Sequence, residues 1–117
     1  MPVRLTLLVV RILVLEDYPP LAKVIEIGLR RIGHEAVRVD SVVRALEIEG
    51  TFELATMDVD LPDGNGIDVA ERMIDEGRLK QVVFFSATSD LALEERARNL
   101  GPFVEKAYGV EALVRVI

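Results

Sequence analysis

The sequence predicts an α/β protein, a parallel five-stranded sheet with helices on both faces. Three observations carry this prediction. Short β-prone apolar runs alternate five times with segments whose apolar residues recur at helical spacing. One run, Gln81–Phe85, is almost continuously apolar, as expected of a strand buried on both faces. Glycine, proline, serine and aspartate fall between the runs, where turns and caps need them. At 117 residues the chain has the length of one domain.

The first strand is expected at Ile12–Leu15. Pro19 and Pro20 suit the first turn of a helix whose apolar residues are Leu21, Val24, Ile25, Leu29 and Ile32, ended by Gly33. Alternation over Ala36–Val39 marks a half-buried second strand. Asp40 or Ser41 caps a helix over Val42–Glu49, closed by Gly50. Phe52–Met57 is the third strand, and the loop from Asp58 to Gly66 carries a proline and two glycines. A helix over Ile67–Glu76, a strand at Gln81–Phe85 and a helix over Asp90–Leu100 follow. A brief strand at Phe103–Glu105 and a short helix over Val110–Ile117 end the chain. No repeat, low-complexity tract or internal linker interrupts this order.

Composition narrows the function classes. Fourteen basic and twenty acidic residues leave a net charge of −6, which repels phosphate and argues against direct nucleic-acid binding. With no cysteine, disulfides, thiolate metal sites and cysteine nucleophiles are excluded. The apolar run Leu5–Leu15 contains Arg11 and is too short to span a membrane, which takes about 20 residues. No small-residue cleavage site follows it. Residues 1–10 are therefore read as an extension of unclear role, ahead of a domain over residues 11–117.

In parallel α/β sheets ligands gather at the carboxyl ends of the strands, at the topological switch point. Here the first strand ends in Glu16 and Asp17, the third in Asp58 with Asp60 nearby, the fourth in Ser86 and Ala87, and the fifth in Lys106. Clustered carboxylates repel one another and raise a pKa, and a hard divalent cation relieves that repulsion. Mg²⁺ suits such a set because it takes one or two carboxylates and keeps positions for water and a phosphate oxygen. A lysine can pair with a carboxylate and then with a phosphoryl group, and a serine hydroxyl can donate to the same group. An aspartate there can act as the nucleophile. Glu16, Asp17, Asp58, Asp60 and Asp63, with Lys106 among them, carry four of the six units of net negative charge. The acidity is local.

These motifs together resemble the receiver domain of two-component response regulators. ILVLED is similar to the family's first strand and acidic pair, and MDVDLPDGNG to its phospho-acceptor strand and loop. FFSAT is similar to its switch strand, and FVEK to its last strand with the family's lysine. The resemblance implies a flavodoxin-like (βα)5 fold with strand order 2-1-3-4-5. It implies a cytoplasmic phosphoprotein in which Asp58 accepts a phosphoryl group, with Mg²⁺, from a histidine kinase or a histidine phosphotransfer protein. Asp17 and Asp58 would hold the metal directly, Glu16 through water, and Asp60 through its backbone carbonyl. Ser86 and Lys106 would contact the phosphoryl group. Phe103 would turn inward behind Ser86, while Ala87, Pro62 and Gly66 shape the site loop. An output domain or downstream protein would read the change, and a homodimer through the last two helices is possible. Such a domain promotes its own phosphorylation and dephosphorylation and is not a conventional enzyme.

Two features depart from the family's pattern. Ala107 follows Lys106, where the family has proline after a cis bond. A cis bond before alanine costs about 2.5–4 kcal/mol, so a trans or reshaped turn is expected. The last helix is short and the connection Gly101-Pro102 compact, so the chain is read as a stand-alone receiver or a piece of a longer one. Competing readings accompany the site residues: Asp17 and Asp58 as caps or loop acids, Ser86 as a strand terminus, Lys106 as a surface lysine and Phe103 as core. Pro62, Gly64 and Gly66 are turn formers first, and His34 is read as a solvated loop residue. Two other functions compete: an interaction module that no longer takes phosphate, and a phosphatase using Asp58 and Asp60 in the manner of haloacid dehalogenases.

Overall fold

The computed structural model describes residues 9–117. Most of the expected extension, residues 1–8, lies outside the described residues. Val9 and Val10 run without regular structure into β1 (Arg11–Leu15). α1 (Pro19–Arg31), β2 (Glu35–Val39), α2 (Val42–Glu47) and β3 (Phe52–Met57) follow. The segment after β3, expected as a loop, holds a tiny antiparallel hairpin, β4 (Asp60–Leu61) and β5 (Gly64–Asn65). α3 (Gly66–Asp75), β6 (Leu79–Ser86), α4 (Leu91–Leu100), β7 (Phe103–Glu105) and α5 (Gly109–Arg115) complete the fold. A 3₁₀ turn, Lys106–Tyr108, joins the last two.

The main sheet has the order β2-β1-β3-β6-β7, with every pair parallel. Setting the hairpin aside, this is the expected order 2-1-3-4-5. β3 shows why the sheet needs cover on both faces. Phe52, Ala55 and Met57 enter one core cluster with Ala45 of α2, Ile67 and Met73 of α3, and Ala97 of α4. Leu54 enters the other, with Ile25 and Leu29 of α1 and Leu113 of α5. Thus α2, α3 and α4 cover one face and α1 and α5 the opposite one.

Several boundaries differ from expectation for local reasons. Ser41, not Asp40, caps α2, its hydroxyl accepting from the Arg44 N–H at 3.1 Å. α2 stops at Glu47 because Ile48 is already extended (φ −64°, ψ 137°), and Gly50 (φ 92°) turns the following connection instead of closing the helix. The buried stripe of α1 is Ala22, Ile25 and Leu29, while Val24 and Ile32, counted from the sequence as apolar-face residues, are exposed. β6 runs two residues further back than its apolar run and ends at Ser86. Gly101 lies against β6, where a Cβ would fall 2.0 Å from the Val82 carbonyl oxygen, so the compact Gly101-Pro102 connection depends on its missing side chain. No peptide bond is cis among the described residues, as expected for Lys106–Ala107.

Candidate functional site

Backbone pairing carries the acids just past the strands. The Glu16 N–H donates to Val39 O at 3.1 Å and the Asp58 N–H to Leu15 O at 3.0 Å, extending two ladders by one residue. Since β1 is bordered by β2 on one side and β3 on the other, Glu16 and Asp58 meet at the switch point of the sheet. Glu16, Asp58 and Ser86 are buried, whereas Asp17 and Asp60 are exposed.

Asp58 gathers the site. Its Oδ2 accepts from Lys106 Nζ at 2.7 Å, and its Oδ1 accepts from Ser86 Oγ at 2.8 Å and from the Asp60 N–H at 3.3 Å. Lys106 Nζ also lies 2.9 Å from Glu16 Oε1, and Glu16 Oε2 accepts from the Tyr18 N–H at 3.1 Å. Burial raises the Glu16 pKa above the usual carboxylate range. The Lys106 and Tyr18 hydrogen bonds pull it back only in part, and the Asp58 charge adds to the rise. For Lys106, burial lowers the pKa, but hydrogen bonds to Asp58 and Glu16 and their charges outweigh it, and the ammonium is held above its ordinary value. The lysine stays charged between two carboxylates.

Glu16, Asp17 and Asp58 each offer a carboxylate oxygen, all within 4.8 Å of one another. A set of hard oxygen donors at that spacing fits Mg²⁺. Three carboxylates share a single lysine there, and a cation would offset the remaining negative charge.

The loop residues divide. Gly66 is required by geometry, since a Cβ there would fall 2.1 Å from the Asp58 carbonyl oxygen; its N–H donates to Val59 O at 3.0 Å. Pro62 and Ala87 are exposed, Pro62 at the hairpin turn and Ala87 just after β6. Phe103 is partly buried, packs on the core beneath α2–α4, and carries the Arg98 guanidinium over its ring at 4.9 Å. Asp63 differs from the other acids credited to this end of the sheet. Its carboxylate accepts from the Val42 N–H at 2.9 Å and the Val43 N–H at 3.1 Å, which holds it below the usual carboxylate range. His34, read from sequence as a solvated residue, is half-buried and accepts at Nδ1 from the Val10 N–H at 3.3 Å.

Sequence reasoning missed Thr88. Its N–H donates to Ser86 Oγ at 3.3 Å and its hydroxyl to Asp60 Oδ1 at 3.4 Å, which ties the end of β6 to the hairpin. Its place within the FFSAT stretch was the available signal. Thr56, two residues before Asp58, has a buried hydroxyl without a partner among the described residues. Nothing in the structure explains it.

The chain matches the response regulator receiver domain family over residues 12–117. It is similar to the transcriptional regulatory proteins CutR of Streptomyces coelicolor and Streptomyces lividans. Each is 31% identical over 111 residues, covering 89% of this chain and 50% of the relative. The chain therefore spans about half the length of the curated relatives it matches. Among solved structures it is similar to the response regulator TrrA of Thermotoga maritima, with a TM-score of 0.78 and 21% identity over 91% of this chain and 94% of that one. The receiver domain of the Francisella response regulator 1452 gives a TM-score of 0.78 and 16% identity over 92% of each chain. At such identities these structures speak for the fold alone. Strand order, the place of the acids at the switch point and a family match running from the first strand to the last residue agree, and this chain belongs to the response regulator receiver domain family.

Proposed function

We propose that the domain is a phosphorylation-controlled switch in a two-component phosphorelay, with Asp58 as the phospho-acceptor. The observation that carries this reading is the convergence of Ser86, Lys106 and the Asp60 N–H on the two oxygens of one buried carboxylate. An Asp58 oxygen attacks the phosphorus of a phosphohistidine on a histidine kinase or phosphotransfer protein. The O–P bond forms as the N–P bond breaks, and the departing imidazole nitrogen keeps the electron pair and takes a proton from water. Lys106 passes from the carboxylate to a phosphoryl oxygen, and Ser86 donates its hydroxyl to the same group.

Glu16, Asp17 and Asp58, with the Asp60 backbone carbonyl, would hold Mg²⁺. The Gly66 N–H to Val59 O bond marks residues 59 and 66 as a hydrogen-bonded antiparallel pair. By alternation the next pair, Asp60 and Asn65, is the non-bonded kind. The Asp60 carbonyl thus has no ladder partner and lies on the side of its own N–H, toward Asp58. Bound there, Mg²⁺ would neutralise charge on the phosphoryl group during transfer. The Thermotoga relative was solved with Mg²⁺-BeF, which supports this choice of metal.

Two charge-assisted hydrogen bonds contribute roughly 3–6 kcal/mol. Inverting a two-state population from 1:99 to 99:1 takes about 5.5 kcal/mol. Ser86 and Lys106 therefore supply much of the bias with little surplus. A transcriptional regulatory relative of twice the length supports an output domain or downstream protein as the reader. A cytoplasmic setting agrees with this role, and among the described residues no helix is long and apolar enough to cross a membrane.

The test supplies a small phosphodonor with Mg²⁺ and follows intact mass, beside Asp58→Asn. One phosphoryl adduct that is lost in the variant is expected. No adduct and no Mg²⁺ binding would leave an interaction module, and rapid turnover of assorted phosphate esters would indicate a phosphatase.

A further inference from the structure

We propose that Asp63 is a positioning residue for this site: by tethering the β4–β5 hairpin to α2, it holds the Asp60 backbone in place for Asp58 and the cation. The inference rests on the reading of Asp58 and Mg²⁺ given above and adds a residue that touches neither.

The hairpin needs an anchor. It has only two residue pairs, and so short a ribbon is not stable by itself. Yet its first residue serves the site, because the Asp60 N–H donates to Asp58 Oδ1, and strand alternation turns its carbonyl the same way. At its base the hairpin is fixed by Gly66 against the Asp58 and Val59 backbone. At its tip the fixing group is Asp63, whose two oxygens take the Val42 and Val43 N–H groups about twenty residues earlier in the chain. The tip also lies flat on α2. Gly64 sits at φ 153°, with room for a Cβ only 3.1 Å from Val42 Cγ2.

The anchor is itself held. α2 buries only Ala45, so packing alone fixes it weakly. Its carbonyl end is bound by Arg78, which donates to Leu46 O at 3.3 Å and to Ile48 O. An anion at the amino end of α2 and a cation at the carboxyl end match the helix dipole. Both groups come from the segments flanking α3, so α2 is clamped by the same body that carries the hairpin. Losing Asp63 leaves the helix capped by Ser41 but frees the tip. The Asp60 carbonyl then has to be ordered by the cation, and affinity for the cation falls.

The experiment compares wild type, Asp63→Ala and Arg78→Gln. Mg²⁺ affinity is measured by calorimetric titration and by the Asp60 amide resonance, the phosphorylation rate against Mg²⁺ concentration, and stability by thermal melting. In Asp63→Ala the Mg²⁺ dissociation constant rises about tenfold, the low end for groups that orient metal ligands without touching the metal. The phosphorylation rate at saturating Mg²⁺ stays near that of wild type. Arg78→Gln, which loosens the far end of α2 but leaves the Asp63 bonds in place, lowers the melting temperature and weakens Mg²⁺ binding less than Asp63→Ala does. Equal Mg²⁺ affinity in wild type and Asp63→Ala overturns the inference alone, and so does an equal loss in Arg78→Gln. A wild-type protein that binds no Mg²⁺ overturns the reading of the site and this inference with it.

Discussion

α3 and α4 lie side by side on one face of the sheet, and each follows a strand that delivers a residue to the site. They are held very differently. α3 buries five of its ten residues, Gly66, Ile67, Val69, Ala70 and Met73, whereas α4 buries only Ala97. α4 is fastened by Ala97, by the half-buried Leu93 and Leu100 packed on the same core, and by charge at the surface. Arg96 reaches Asp68 at 3.0 Å and Glu71 at 2.8 Å on α3, and the Arg98 guanidinium lies over Phe103. Such contacts contribute little in water compared with buried apolar area. The segment behind Asp58 is therefore the fixed wall of the site. The segment behind Ser86 buries less and is the one that can shift at smaller cost.

The strongest challenge to this contrast uses two glycines with nearly the same clash. A Cβ at Gly66 meets the Asp58 oxygen at 2.1 Å, and one at Gly101 meets the Val82 oxygen at 2.0 Å. Gly66→Ala strikes the fixed wall and should cost about 3 kcal/mol, while Gly101→Ala, at the end of the lightly held helix, should cost about 1–2 kcal/mol. Urea denaturation measures both, and equal costs would mean that α4 yields no more than α3.

Truncation gives a similar ranking. Met73→Ala empties fully buried volume in α3 and should cost about 2–5 kcal/mol. Leu93→Ala, in a half-buried position on α4, should cost about 1 kcal/mol. A Leu93 effect as large as that of Met73 would place α4 in the core.

The smallest effect is the most local. Arg96→Ala should speed hydrogen exchange of the α4 amides without changing that of α3, and added salt should do the same to wild type. If exchange in α3 rises equally, the two helices open as one unit.

The core of α3 was visible in its apolar spacing, because Ile67, Ala70 and Met73 recur at helical intervals and their burial follows from period alone. The same method misjudged α1, where Val24 and Ile32 share the apolar count but face water. A count of apolar residues does not choose between two stripes of similar hydrophobicity; the neighbouring strand does. The site was legible for a related reason. Glu16, Asp58, Ser86 and Lys106 each end a strand, and the ends of parallel strands must lie at one edge. The hairpin was not legible, since two pairs of residues leave no periodic trace.

What the sequence determined by itself is the order of elements and the chemistry set at their ends. Both depend on near neighbours in the chain, namely hydrophobic period, caps and turn residues. Tertiary structure alone decided which partners several polar groups outside the strand ends found. Asp63 takes the α2 amides, His34 takes the Val10 amide, and Arg98 lies over Phe103. From sequence, Asp63 was counted with the acids at one end of the sheet and His34 was a solvated loop residue, while nothing marked Arg98. The directions of their hydrogen bonds and their ring contact are set by how helices pack on the sheet, and residue spacing carries no record of that packing.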